Sequence, residues 1–197
     1  MIINEILKDY KVILASQSPR RQYLLKELGI DFEIISNSEI DEVFPPELTK
    51  EEIPVYLAEM KAGSVMPSVP DKTLLITADT IVWLNNKVIN KPSGFDDALK
   101  MLEELSGEVH EVITGVCLRT QKKKYSFYTS TLVYFAALSK EEIRFYVEQY
   151  RPYDKAGAYG IQEWIGYIGI ERIEGSYFNV MGLPVQELYR EIIKFLS

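Results

Sequence analysis

Two hydroxyls and two guanidiniums stand together in Ser16-Gln17-Ser18-Pro19-Arg20-Arg21, between an apolar run and the start of a helical pattern. Ser18 suits an N-cap and Pro19 a first helical position, so backbone N–H groups and the positive end of a helix dipole would lie beside these side chains. That is the chemistry of an oxyanion or phosphate cradle. An ordinary cap followed by two solvated arginines reads equally well from this segment alone. No GxxxxGK[ST] occurs in the chain, which excludes a Walker-type phosphate loop.

Asp79 directly follows the apolar run Leu74-Leu75-Ile76-Thr77-Ala78. This spacing puts it at the C-terminal end of a strand, where open α/β sheets place their ligands. A carboxylate there can hold Mg²⁺ or take a proton from water; a turn-forming Asp-Thr pair is the plainer alternative. Lys61, Lys91 and Lys155 each stand beside a structural breakpoint, and Asp41-Glu42 follows the second expected strand. Singly, each reads as a solvated surface residue. Together with a metal, such groups supply the charge that a triphosphate requires. In Asp154-Lys155-Ala156-Gly157-Ala158-Tyr159-Gly160-Ile161-Gln162, small residues permit close backbone approach, and Gln162 offers both a donor and an acceptor to a base edge. A glycine-lightened strand with an exposed amide fits the same letters. Trp83, Tyr146, Tyr150, Tyr159, Trp164 and Tyr167 serve either as a base-stacking surface or as packing. His110 reads as a turn or strand residue, and Cys117 as a small core residue.

The elements that must position these groups alternate. Val12 to Ala15 reads as a strand, and Leu24, Leu25 and Leu28 recur at helical spacing until Gly29. Phe32 to Ile35 is the next strand. Leu57, Met60 and Lys61 fall in a helix ending near Gly63, begun either by a Thr49/Glu52 capping box or nearer Ile53, where Pro54 fits the first turn. Beyond the strand that ends at Asp79-Thr80, Ile81 to Leu84 and Lys87 to Ile89 form a hairpin about Asn85-Asn86. Ala98, Met101, Leu102 and Leu105 mark a helix stopped by Ser106-Gly107, and Val112 to Leu118 and Tyr125 to Phe135 a long strand pair across a Lys-rich turn. Ser139 and Glu142 form a capping box for a helix towards Gln149. Gly157 to Gly182 suggests short strands and turns. The final helix carries Val185, Leu188, Tyr189, Ile192, Ile193 and Leu196 at helical spacing and should cover a sheet. The expectation is one α/β protein with a mixed central sheet flanked by helices.

Composition narrows the function. At 197 residues with 47% hydrophobic and 26% charged side chains, the chain has enough apolar material for a core, which excludes intrinsic disorder. Its 22 Lys and Arg against 29 Asp and Glu leave a net charge of -7, which argues against a nucleic-acid polymer as partner. One cysteine and one histidine exclude an intrachain disulfide, a Cys-rich metal site and an HExxH site. Met1 to Tyr10 lacks a signal-peptide apolar region and no run approaches the roughly 20 residues needed to span a bilayer, so no membrane partner and a cytoplasmic address are expected.

Taken in order, these segments resemble the Maf family of nucleotide pyrophosphatases, named for septum-formation inhibition. The resemblance runs through Leu14 to Arg21, Ala78-Asp79-Thr80 with Lys91-Pro92, Leu105 to His110, Asp154 to Gln162, and Gly175 to Pro184. It implies a Maf/Ham1-like (inosine triphosphatase-like) α/β fold, a single domain over 1–197, or two lobes, around a central cleft. It also implies hydrolysis of nucleoside triphosphates to monophosphate and pyrophosphate with a divalent cation, Mg²⁺ or Mn²⁺, and a homodimer. Ser-Pro-Arg-Arg, Ala-Asp-Thr and the Gln162 motif are similar to the branch acting on dTTP and UTP. Carried onto this chain, Asp79 is the proton acceptor, and Arg20, Thr80 and Gln162 are tied to substrate choice. Ser16, Ser18, Arg20, Arg21, Lys61 and Lys91 would hold the phosphates. Glu42 and Lys155 complete the pocket, and Asp79 and Glu42 are the metal-binding candidates. Glu163-Trp164 departs from the family pattern, in which glycine commonly follows the glutamine. The competing readings are 7-methyl-GTP specificity, a non-catalytic nucleotide-binding regulator of cell division, and an adaptor acting through its aromatic surface.

Overall fold

In the computed structural model, which describes residues 2–35 and 42–197, Val12, Ile13 and Leu14 are buried on a short strand β1 (Lys11–Leu14). It pairs in parallel with both β2 (Glu33–Ile34) and β3 (Thr73–Leu84), with Ile13 opposite Glu33 and Lys11 opposite Thr73. A strand with neighbours on both sides and both faces buried has no wet face, which is why its apolar run is continuous. The hairpin about Asn85-Asn86 forms as expected: both residues have positive φ, and β4 (Lys87–Ile89) returns antiparallel on β3. Next in the sheet come β5 (Val109–Arg119), β6 (Lys124–Phe135) and β7 (Ile170–Glu174), the last antiparallel to β6, giving the order β2-β1-β3-β5-β6-β7. The sheet is mixed, as the alternation predicts.

The helices are α1 (Ile2–Leu7), α2 (Pro19–Glu27), α3 (Glu52–Val65), α4 (Phe95–Leu105), α5 (Lys140–Tyr150), α6 (Trp164–Gly169), α7 (Tyr177–Met181) and α8 (Val185–Leu196). The Ser139/Glu142 capping box of α5 is complete. At α3, Glu52 reaches back to the Thr49 N–H at 2.8 Å, so the reciprocal half of the expected box is made.

The chain forms two compact units. The first takes Met1–Asp79, Thr114–Thr129 and Gly182–Ser197, with a core of Ile13, Ala15, Ala58, Ala62, Val65, Leu75 and Cys117. Burial pushes the Cys117 thiol up, consistent with a packing role. The second takes Thr80–Ile113 and Ser130–Met181; there α4 packs on α5, burying Ala98, Leu102, Leu105, Ile143 and Val147.

Three expectations need correction. The strand carrying Asp79 does not end there: β3 continues unbroken to Leu84, exchanging its partner from β1 to β4 on the way. Asp79 therefore lies beyond the last pair with β1, Leu14 with Ile76, rather than in a turn. α3 closes at Val65, near the expected stop at Gly63. The glycine-rich stretch holds α6 and α7 as well as β7. Within it Gly166 serves packing: a Cβ there would fall 1.8 Å from the Ile161 carbonyl oxygen. α1 is an element beyond those expected from the sequence. In α8 the buried face is Val185, Leu188, Glu191, Ile192 and Phe195, rotated from the expected stripe, with Glu191 held by Lys194.

Candidate active site

In the first unit, β1 ends at Leu14 and the chain turns over Ser16 before entering α2. The Ser16 hydroxyl accepts the Ser18 N–H at 3.2 Å, and the Ser16 carbonyl accepts from the Gln22 amide at 3.1 Å. Ser18 occupies the N-cap position and Pro19 opens the helix, as the sequence predicts, but the Ser18 hydroxyl makes no cap hydrogen bond.

Arg20 and Arg21 share the first turn of α2 but differ in their surroundings. Arg21 donates through Nε to the Gly182 carbonyl and through Nη1 to the Ala78 carbonyl, both at 2.8 Å. Enclosure of its guanidinium pulls the pKa below the ordinary arginine value, while the neighbouring Asp79 carboxylate pulls the other way. Arg21 thus fixes the strand one residue before Asp79.

Asp79 itself faces α3. Strand alternation places Thr77 and Asp79 on one face, and a helix brings residues three apart onto one side. The Thr77 hydroxyl accordingly donates to the Ala58 carbonyl at 2.6 Å, and Asp79 takes the ammonium of Lys61. Lys61 also bonds Glu42 at 2.7 Å. The side chains of Lys61 and Asp79 are 10% and 9% exposed against 39% for Glu42, so one buried ammonium draws two carboxylates of unequal exposure together. Asp41 lies outside the described residues.

The second unit carries Thr80, Lys91, Lys155 and Gln162. Thr80, next to Asp79 on β3, alternates to the opposite face of the strand. Lys91 is exposed beside Asn90, whose carbonyl accepts the Gly157 N–H at 3.1 Å, joining this corner to the glycine loop. Lys155 is buried and bonds Asp154 at 2.8 Å and Glu163 at 3.1 Å. The Gln162 side chain is half-buried, and its Oε1 is shielded from solvent with no hydrogen-bond partner in the structure. His110 is a β5 residue with a solvent-shielded ring, its Nε2 2.7 Å from the Tyr159 hydroxyl, and burial lowers its pKa to about 3. A group so depressed is no general base near neutrality.

The Maf-like protein family model matches residues 11–195. The chain belongs to the Maf-like family. A Parabacteroides distasonis relative named "dTTP/UTP pyrophosphatase" is 54% identical over 97% of this chain and 99% of its own. A Phocaeicola vulgatus relative of the same name is 55% identical over 96% and 98%. Among solved structures, a HAM1 protein from Coxiella burnetii aligns at 12% identity and a TM-score of 0.48, over 94% of this chain and 99% of that one.

Two features of this Maf-like chain escaped sequence reasoning. Tyr146 and Glu163, a possible stacking residue and a departure from the family pattern, bond each other. Seventeen positions separate them, with no local periodicity linking the two. The structural use of Arg21 is equally silent in sequence, since its acceptors are carbonyls that every residue carries.

Proposed function

We propose that this Maf-like chain is a nucleoside triphosphate pyrophosphatase that hydrolyses dTTP and UTP to the monophosphate and pyrophosphate, with Asp79 as proton acceptor. The observation that carries the assignment is the buried Lys61 ammonium bonded to both Asp79 and Glu42, which fixes the position of the Asp79 carboxylate. The name shared by relatives that align over almost the whole chain supports the substrates.

Water attacks the α-phosphorus in line. The new P–O bond forms as the bond from the α-phosphorus to the α–β bridging oxygen breaks, pyrophosphate leaves, and the water proton passes to Asp79. Ser16, Ser18, Arg20, Arg21, Lys61 and Lys91 would hold the polyphosphate, with Arg21 also bracing Ala78. Lys155 supports the glycine loop, and Gln162 and Thr80 read the pyrimidine. A solvent-shielded amide oxygen without a partner is suited to accept N3–H of uracil or thymine, which cytosine and adenine lack.

A divalent cation fits the donor set. Asp79 and Glu42 are hard oxygen donors already gathered around one positive charge, and no group of three or more His, Cys, Asp or Glu suited to a metal occurs among the described residues. Such a pair would hold Mg²⁺ or Mn²⁺ through carboxylate oxygens. When bound, the ion neutralises charge on the triphosphate. We place the enzyme in the cytoplasm, where its substrates are held, as a homodimer. No helix of the described residues is long and apolar enough to cross a membrane.

The test is pyrophosphate release from purified protein with UTP, dTTP, CTP, ATP and 7-methyl-GTP, each with and without Mg²⁺. UTP and dTTP should lead the panel. Preference for 7-methyl-GTP would overturn the substrate assignment, and silence towards every triphosphate would favour a binding regulator.

A further inference from the structure

Glu163, the residue that breaks the family pattern, is one half of a brace around Gln162. The Tyr146 hydroxyl donates to one Glu163 carboxylate oxygen and accepts the Gly160 N–H at 3.0 Å. The other carboxylate oxygen takes Lys155 at 3.1 Å, and the Glu163 N–H closes the turn on the Gly160 carbonyl at 2.9 Å. Gln162 is thus held from both flanks by a single phenol on a different element, α5. Tyr146 is fully buried, and burial beside Glu163 raises its pKa, so the hydroxyl stays protonated and able to donate. Gly160 leaves the room that this arrangement needs. A Cβ there would meet the Glu163 carboxyl carbon at 2.9 Å and the Gln162 amide nitrogen at 3.0 Å.

We infer that Tyr146 and Glu163 are positioning residues for base selection: they lock the 160–163 turn so that the Gln162 amide oxygen stays unpaired and aimed until a pyrimidine donates to it. The inference rests on the reading of Gln162 given above. An amide free to rotate would find water or a backbone partner and lose its preference between bases. The bonds of the brace fall on the turn that carries Gln162, so it should govern discrimination rather than the hydrolytic step.

Tyr146→Phe removes only the hydroxyl, and Glu163→Gln removes the charge at nearly constant size. In steady-state assays with UTP and ATP, each should lower kcat/KM for UTP about tenfold through KM, leave kcat for UTP and kcat/KM for ATP within about twofold, and so narrow the UTP-to-ATP ratio. Adding Tyr146→Phe to Gln162→Ala should narrow the ratio no further than Gln162→Ala alone, since the brace acts through that amide. An equal fall for UTP and ATP in both single variants, with a lowered Tm, would mark a merely structural role and overturn the inference. A lost preference in Gln162→Ala with an intact one in both brace variants sinks the positioning inference alone. An intact preference in Gln162→Ala sinks the base-reading assignment and the inference with it.

Discussion

Asp79 and the two arginines of α2 make distinguishable predictions. Asp79→Asn keeps the size of the side chain and can still accept from Lys61, so the protein should fold while pyrophosphate release falls by about 10² or more. Near-normal turnover in the purified variant would remove Asp79 from its role. Arg20→Ala should cost a few kcal/mol in kcat/KM for UTP, as expected for a charge-assisted contact to phosphate. Arg21→Ala should lower both activity and thermal stability. Its loss leaves the carbonyls of Ala78 and Gly182 without their donor and loosens the backbone next to Asp79. If the melting curve of Arg21→Ala coincides with that of the wild type, the bracing role of Arg21 is wrong.

At the scale of the element, α6 shows how a short helix sets the position of a loop. Gly166 lies so near the Ile161 carbonyl that an added methyl carbon would overlap it at 1.8 Å, and the obstruction is backbone rather than a flexible side-chain end. Gly166→Ala must therefore move α6 or Ile161, the residue before Gln162. Denaturant titration should show a loss of about 1–3 kcal/mol, the range for overpacking, accompanied by a weaker preference for UTP over ATP. An unchanged unfolding midpoint would show that the helix moves aside freely. β3 offers the complementary lesson. An acid after a mostly apolar run looks like a strand end, yet the exchange of β1 for β4 as partner carries the strand onward through Asp79 and Thr80. Partner exchange depends on where β1 stops, and the letters around Asp79 hold no record of that.

The stability of the whole molecule should depend on pH in a way that a single histidine makes easy to isolate. Burial lowers the His110 pKa from an ordinary 6.5 to about 3, so between these values the unfolded chain binds a proton that the folded chain refuses. Stability is complete above pH 6.5 and declines as the pH falls, by about 2 kcal/mol at pH 5. Glu52 and Glu142, lowered from 4.5 by hydrogen bonds from Thr49 and Ser139, lose their contribution only in more acidic solution. Urea unfolding of the wild type at pH 7.5 and pH 5 reads the effect, and His110→Phe should flatten it. A wild type equally stable at both would mean that the folded chain protonates His110 readily.

Local chemistry in the sequence alone determined the α/β alternation, the Asn85-Asn86 hairpin, the capping box of α5 and the positions of Ser18 and Pro19 at the start of α2, because turn and cap preferences act over three or four neighbouring residues. The ordered motifs from Leu14 to Pro184 were likewise sufficient to place the chain in its family. Tertiary structure decided what those motif residues touch. The meeting of Lys61 with Asp79 and Glu42, the tie from Arg21 to the carbonyls of Ala78 and Gly182, and the clasp of Tyr146 on Gly160 and Glu163 all join residues far apart in the chain. Such pairings arise from the register of strands and the packing of helices on them, and the residue types involved are compatible with many other partners until the fold selects one.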